Sequence, residues 1–384
     1  MMIYPRDDER TIRVQRMVND WTKSGLLQPE QRERMMADLQ VDYRRTNLFL
    51  RGTLLLFGVL IIVALAGLVA LFLDLRSAGV AVFMVLAAAG FFFLAQWLIG
   101  RYRVYRFGVE EAAAAAAALL FAIGCGLLMQ RTFSGLQAFI GAAGASVIVF
   151  RRFGYLYAGI AAVLFAGLIP YNFDIFGSFQ ADTTRRLASI VILMVIFGIA
   201  RERRKDHEWE FPGDLYGALE TTAWAAMYLM INLKASAWLS YPDPVPQFYW
   251  ATYAGIWIVP AAGLFLAVRD RHRWMLDANI VMAIVTLMTN KPYLNGVQKP
   301  WDPILFGVLM IAIALGLKRW LAGGADGSRG GFIAERLLAS EQERLALAGG
   351  AAALKPGAPE PHSHPAPEMG DGGRSGGGGA SGKF

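Results

Sequence analysis

Long apolar blocks separated by short arginine-rich segments run through most of this chain. Uncharged runs near or above the roughly 18 residues needed to cross a bilayer recur along it. They predict ten membrane spans, at about 52–74, 78–99, 111–129, 135–150, 154–171, 187–200, 215–238, 250–268, 274–290 and 303–320. The sixth is the shortest and reads as a tilted or partly re-entrant segment. The third and fourth are joined by Gln130 to Ser134 alone, which predicts a tight helical hairpin. The expected fold is therefore all-α, a polytopic transmembrane helix bundle.

The flanks differ in pattern. Val14, Met17, Val18 and Trp21 fall at i, i+3, i+4 and i+7, the stripe of an amphipathic helix. Gly25 suits the position just past its end, and Pro29 the first position of a second helix with Met35, Met36 and Leu39. Together they predict a short cytosolic helical hairpin, read first as a lead-in to the spans. Its other reading is a surface for the membrane or a cytosolic protein partner. Beyond the last span, Phe332 to Leu347 reads as one more amphipathic helix. From Pro356 onward the chain is rich in Gly, Pro, Ser and His, a composition too poor in apolar surface to offset the entropy of ordering. This Gly/Pro-rich C-terminal tail is expected to be disordered. The expected division is 1–48 cytosolic segment, 49–321 bundle, 322–350 amphipathic helix and 351–384 tail.

Charge then sets the orientation. Arginines and lysines cluster at Arg44/Arg45/Arg51, Arg101/Arg103/Arg106, Arg151/Arg152, Arg201/Arg203/Arg204/Lys205, Arg269/Arg271/Arg273 and Lys318/Arg319. The intervening flanks hold fewer: Arg76, Arg131, Arg185, Arg186, Lys234, Lys291 and Lys299. By the positive-inside rule the richer set is cytosolic, which puts both termini in the cytosol of a bacterial inner membrane. The formal net charge of +7 is accounted for in this way, so no nucleic-acid partner is expected. Only 17% of residues are charged and 55% are hydrophobic, with a mean hydropathy of +0.40; a soluble domain carries about 25% charged residues. Cys125 is the single cysteine, so no intramolecular disulfide forms. The polar opening residues lead into no signal-peptide core, and the first span is expected to insert the protein.

Chemistry has few places to reside. Ionisable residues at membrane depth are functional candidates by default, yet the predicted span centres carry none. Glu110, Glu111, Glu220 and Asp277 come nearest, each near a cytosolic helix N-terminus where the macrodipole favours an anion by about 0.3–1 kcal/mol. Their first reading is structural, in ion pairs with the arginine clusters. Glu220→Gln and Asp277→Asn are then expected to lower stability modestly and leave activity nearly intact. The second reading is an acidic pocket of Glu111, Glu220 and Asp277, which requires three neighbouring helices.

On the opposite side, Asp174, Asp243, Lys291, Asn295, Trp301 and Asp302 lie among loop aromatics. They read as an aromatic interfacial belt or, alternatively, as an outer-face site for a sugar or lipid headgroup. Small residues from Ala112 to Ala118, with Gly124, Gly126, Gly141 and Gly144, predict close packing of the third and fourth spans, centrally or in an oligomer. Pro260 is expected to kink the eighth span. No zinc, P-loop, nucleophile-elbow or metalloprotease spacing is present, and no cofactor or metal is expected.

The stretch Met17-Val18-Asn19-Asp20-Trp21-Thr22-Lys23-Ser24-Gly25-Leu26-Leu27-Gln28-Pro29-Glu30-Gln31 resembles the opening of a family of bacterial predicted multi-pass membrane proteins. In that family a hydrophobic helix followed by Gly-Leu-Leu-x-Pro-Glu-Gln precedes many spans, with no assigned function. The resemblance covers about the first 70 residues. It implies an inner-membrane protein and carries over no catalytic residue. Three function classes remain, in this order: a non-enzymatic scaffold or sensor, a transporter of a neutral or apolar solute, and a membrane-embedded lipid- or sugar-active transferase. Membrane lipids are partners in every case.

Overall fold

The computed structural model describes residues 3–72, 77–128, 134–173, 181–207, 215–236, 246–294, 296, 299, 301–323, 328–329 and 332–333. Among these the chain forms α1 (Arg6–Lys23), α2 (Pro29–Asp38), α3 (Leu48–Phe72), α4 (Ser77–Tyr102), α5 (Val109–Leu128), α6 (Ser134–Phe153), α7 (Leu156–Leu168, continued by a 3₁₀ turn at Ile169–Asn172), α8 (Ala181–His207), α9 (Leu215–Ile231), α10 (Pro246–Arg269), α11 (Arg273–Tyr293) and α12 (Asp302–Ala322). The fold is all-helical. Six helices, α3, α4, α5, α6, α8 and α10, are long and apolar enough to cross a membrane.

Each predicted span coincides with a helix, but α8 departs from expectation. It has 27 residues, about 40 Å at 1.5 Å per residue, and is the longest described helix. The apolar run looked short because arginines lie inside the helix, with Arg186 buried near one end and Arg204 near the other.

The helix ends that carry arginine clusters meet one another: Arg44 bonds Arg103, Phe150 beside Arg151 packs on the Tyr216 ring, and Arg201 and Arg204 pair with Asp270. There the N-terminal segment is tied down. Arg44 exchanges backbone bonds with Arg103 and Tyr105 of the α4–α5 loop (Arg44 N–H to Arg103 O, 2.9 Å; Tyr105 N–H to Arg44 O, 3.0 Å). The Ile3 N–H donates to the Arg152 carbonyl at 2.8 Å. The Tyr4 ring packs edge-on against Tyr105 at 5.0 Å, and its hydroxyl lies 3.4 Å from that of Tyr155. The α4–α5 loop turns through left-handed Arg103, Arg106 and Gly108. Gly108 is needed twice over, since a Cβ there would sit 2.7 Å from the Arg51 carbonyl.

α1 carries Asp7, Asp8 and Glu9 in its first turn and Lys23 in its last, as the macrodipole favours, and left-handed Gly25 follows it. α2 starts on Pro29 with a reciprocal Gln28–Gln31 capping box. The buried face of α1 is Ile12, Gln15 and Val18, rotated from the predicted stripe, of which only Val18 is fully buried. Glu9 pairs with Arg106 at 3.7 Å, and Arg32 of α2 donates to Asn19 at 3.0 Å. α2 has no buried residue.

α5 packs against α3, α4 and α6, the central place its small residues predicted. α12 is tied at its start, where Asp302 meets Lys291, and leaves Ile304, Leu305, Val308 and Ile311 exposed. Phe332–Ile333 pair with Ser328–Arg329 as a two-residue antiparallel ladder, so the expected amphipathic helix does not begin at Phe332. The rest of that helix and the tail lie outside the described residues.

Candidate functional site

Three of the four singled-out acids are buried, and each has its own partner set. Glu111, in the first turn of α5, receives a two-pronged bond from Arg51 of α3: Nε to Oε2 at 2.7 Å and an η-nitrogen to Oε1 at 2.5 Å. Its neighbour Glu110 accepts the Phe107 N–H at 2.6 Å, capping the helix from within its first turn. Glu220, in the first turns of α9, is 1% exposed and bonds Arg204 Nε at 2.6 Å and Arg201 at 3.3 Å. Asp270, at the end of α10, joins the same two arginines. Asp277 stays apart, 66% exposed and 3.8 Å from Arg273. The acids pair with arginines, as their first reading expects, and the alternative pocket of Glu111, Glu220 and Asp277 is not formed. α6 and α7 come between α5 and α9, and the register of α11 turns Asp277 outward.

His272 belongs to the Glu220 cluster, though no sequence signal placed it there. It precedes α11, and Gly217 of α9 makes room for its ring: a Cβ there would lie 2.6 Å from Nε2. Burial, then the positive charge of Arg204, push its pKa down to about 4.

Of the outer-face candidates, Lys291 and Asp302 meet at 2.5 Å. The Lys291 ammonium and the Lys299 N–H, 2.9 Å away, hold the Asp302 carboxyl below the usual carboxylate range. Trp301 is exposed, with the Lys299 ammonium 5.7 Å from its ring centre. Asp174, Asp243 and Asn295 lie outside the described residues.

The most developed polar arrangement was not among the sequence candidates. Glu220, Trp224, Tyr228, Asn232 and Ser236 recur every fourth residue, so they share one face of α9 and its extension. That face meets α11. Trp224 donates to Asn279 Oδ1 at 3.0 Å, and Asn279 occupies space opened by Gly263 of α10, where a Cβ would lie 2.0 Å from the amide oxygen. Pro260 has no N–H, which frees the Ile256 carbonyl within α10; the Thr286 hydroxyl takes it at 2.7 Å. The Tyr228 hydroxyl lies 2.8 Å from that of Thr286, donates to the Met282 carbonyl at 3.0 Å and accepts from Asn232 at 2.9 Å. Asn232 also donates to Thr289 at 3.0 Å, and the Leu233 N–H donates to the Tyr293 hydroxyl at 2.7 Å.

The line ends at Arg186 of α8, which is 0% exposed. Arg186 bonds Asp182 at 2.9 Å, the Ser236 hydroxyl at 2.9 Å and the Met230 carbonyl at 3.0 Å. That carbonyl is in the last turn of α9, where no intrahelical donor remains. A polar spine thus runs the length of α9, anchored by an ion-paired cluster at each end. Sequence reasoning missed it by searching for ionisable residues alone; the fourfold spacing of polar and aromatic residues in 220–236 was the available signal.

The other half of the bundle holds a groove instead. α4, α5 and α6 enclose about 240 Å³ lined only by apolar residues. Its floor is alanine (Ala88, Ala117, Ala145), its walls are Phe92, Phe121 and Ile148, and it opens sideways. One turn beyond Val149, Arg152 of α6 donates to Gln96 of α4 at 2.7 and 3.1 Å, bridging the two helices over the groove's end.

No family model matches the chain, and neither a curated protein nor a solved structure is found to match it.

Proposed function

We propose that the chain is a non-enzymatic scaffold or sensor of a bacterial inner membrane, with ten spans and its arginine-rich end in the cytosol. The observation that carries this reading is the contrast between the first two helices. α1 is held on the bundle through Ile12 and Glu9, whereas α2 has no buried residue. A docked helix that displays a second one fits a mount for a cytosolic protein partner.

Support for the orientation comes from the gathering of the arginine clusters at the end where α1 docks. Support for a non-catalytic role comes from the acids: Glu111, Glu220 and Asp270 are each committed to arginine partners. The groove between α4, α5 and α6 favours a second reading, movement of a neutral or apolar solute along the membrane-facing side.

The test is site-specific photocrosslinking in intact cells from Met35 of α2 and from Ile12 of α1. A defined cytosolic protein captured from Met35 and not from Ile12 is expected; binding of that purified protein should then be lost in Met35→Glu. Crosslinks from Met35 only to lipid or to the chain itself would overturn the scaffold reading. Maleimide labelling of a Cys125→Ala chain carrying Leu26→Cys or Trp301→Cys is expected from the cytosolic and outer sides respectively.

A further inference from the structure

We infer that Arg16, Arg45 and Arg106 form a binding site for the phosphate of an anionic membrane phospholipid, which clips α1 to the bundle at the membrane boundary. The inference goes beyond the scaffold reading and does not depend on it. It rests on α3 and α4 lying in a membrane, for which each is long and apolar enough.

Three segments of the chain bring these guanidinium groups together. Arg44 bonds Arg103 and Tyr105, and the Thr46 hydroxyl donates to the Phe107 carbonyl at 3.1 Å. Arg45 is held between these ties, so its backbone runs beside Tyr105 and Arg106. Arg106 in turn meets Glu9 of α1 at 3.7 Å. Glu9, Arg13 and Arg16 fall at i, i+4 and i+7, so Arg16 lies on the face of α1 that Arg106 meets.

Charge at this seat is not balanced by the protein. Glu9 is shared by Arg106 and Arg13, and Glu111 is taken by Arg51. Among the described residues neither Arg16 nor Arg45 pairs with an acid, and the Nε of Arg106 is buried without an acceptor. Burial lowers the pKa of Arg16, and against the opposing pull of Tyr105 so do the charges of Arg106, Arg45 and Arg51. Like charges therefore face one another where α1 docks. Arg201 and Arg204 differ, since Glu220 and Asp270 stand between them. An anion between Arg16, Arg45 and Arg106 would offset the repulsion and supply the missing acceptor.

The level of the site selects a lipid over a soluble anion. The span of α3 begins at Phe49 and that of α4 ends at Tyr102, so Arg45 and Arg106 stand just outside the hydrocarbon. Phe49, Leu50 and Tyr102 are exposed there, with Trp97 edge-on to Tyr102 at 5.3 Å, the aromatic character of a headgroup layer. Basic residues at that level attract anionic headgroups by roughly a factor of five each. Arg44, Arg101 and Arg103 are exposed close by, with Asp42 paired to Arg103.

Hydrogen exchange of α1 in the full chain, in micelles doped with phosphatidylglycerol or with phosphatidylcholine of the same acyl chains, tests this. Phosphatidylglycerol should slow exchange of the α1 amides at least tenfold relative to phosphatidylcholine, and should raise the melting temperature. Arg16→Gln combined with Arg45→Gln should lose both effects. In undoped micelles that variant should melt no lower than the unaltered chain, because the charges it removes repel their neighbours. Arg269→Gln with Arg271→Gln, an exposed pair where α10 meets α11, should keep both effects. If the first pair does not fold, Arg45→Gln alone, at an exposed position, should reduce the slowing about fivefold. Equal effects of the two lipids, or a full phosphatidylglycerol effect in the folded Arg16 and Arg45 variant, would overturn the site. Equal loss in both paired variants would reduce it to general surface charge, and a lower melt of the first pair in undoped micelles would make the arginines structural. Inorganic phosphate at matched ionic strength that protects α1 as well as phosphatidylglycerol does would replace the lipid with a free anion.

Discussion

α3 to α6 and α8 to α11 hold their helices together by different means, although both are built from apolar helices of similar length. In the first group small residues bring backbones close. A Cβ at Gly58 would meet Ala112 at 2.6 Å, one at Gly124 would meet Val85 at 2.8 Å, and one at Gly141 would meet Cys125 at 2.9 Å. In the second group hydrogen bonds link Trp224 to Asn279, Tyr228 to Thr286 and Asn232 to Thr289. Lipid tails are as apolar as leucine, so helices in a membrane gain little from apolar burial and rely on close contact or polar bonds. Close contact leaves a groove lined only by apolar residues between α4, α5 and α6. A bonded spine specifies one register and leaves its members no alternative partner. The first half thus depends on shape, and the second on bonding.

Arg186→Met should break the contrast most severely, by about 3–5 kcal/mol in detergent thermal unfolding, because Asp182 is left buried without its counter-charge. Replacing both as Asp182→Leu with Arg186→Met should cost less than Arg186→Met alone. Glu220→Gln comes next, at about 2–3 kcal/mol, since two arginines lose a shared carboxylate. Asp277→Asn, in its exposed pair, should stay within about 0.5 kcal/mol. The two acids, expected to behave alike from the sequence, should separate in the same melt.

Gly124→Leu probes the other half. It inserts side-chain volume where Val85 and the Ala81 carbonyl already close the gap, and should cost about 2 kcal/mol. Tyr228→Phe, which keeps volume and removes one hydroxyl from the spine, should cost about 1 kcal/mol. If Tyr228→Phe proved the more damaging, the spine would dominate the whole bundle and the contrast would need redrawing.

His272 sharpens the picture through pH. Its folded pKa of about 4 lies below the ordinary 6.5, so the unfolded chain binds the extra proton between those values. This contribution is complete above pH 6.5 and is lost as pH falls towards 4. Partial exposure reduces it to about 1–2 kcal/mol. Melts of the unaltered chain and of His272→Asn, compared from pH 7.5 to 4.5, should converge as the pH drops.

What the sequence conveyed followed the strength of the physical signal. Apolar runs located α3 to α12, because the hydrocarbon core tolerates few exceptions to that pattern. α8 was misjudged because Arg186 sits inside the bundle, where a charge is kept by Asp182 and Ser236 rather than by water. Asp277 pairs with Arg273, as its first reading expects, but its exposure was not legible because proximity to a helix end fixes depth and not facing. The spine was hidden for a related reason. Trp, Tyr, Asn and Thr are each unremarkable in a membrane helix, and only the pairing of α9 with α11 turns their spacing into a bonded line. Asp174, Asp243 and Asn295 fall outside the described residues.

The ties of the N-terminal segment also impose an order on biogenesis. Ile3 and Tyr4 bond partners at Arg152 and Tyr155, about 150 residues later in the chain. At a synthesis rate of about 5–20 residues per second, the first helix must wait roughly 10–30 s for its seat to emerge. Glu9 can meet Arg106 once α4 has emerged, but the full set of ties is complete only after α6 has been delivered. A newly made chain with α1 undocked is, by the same token, one whose insertion is unfinished.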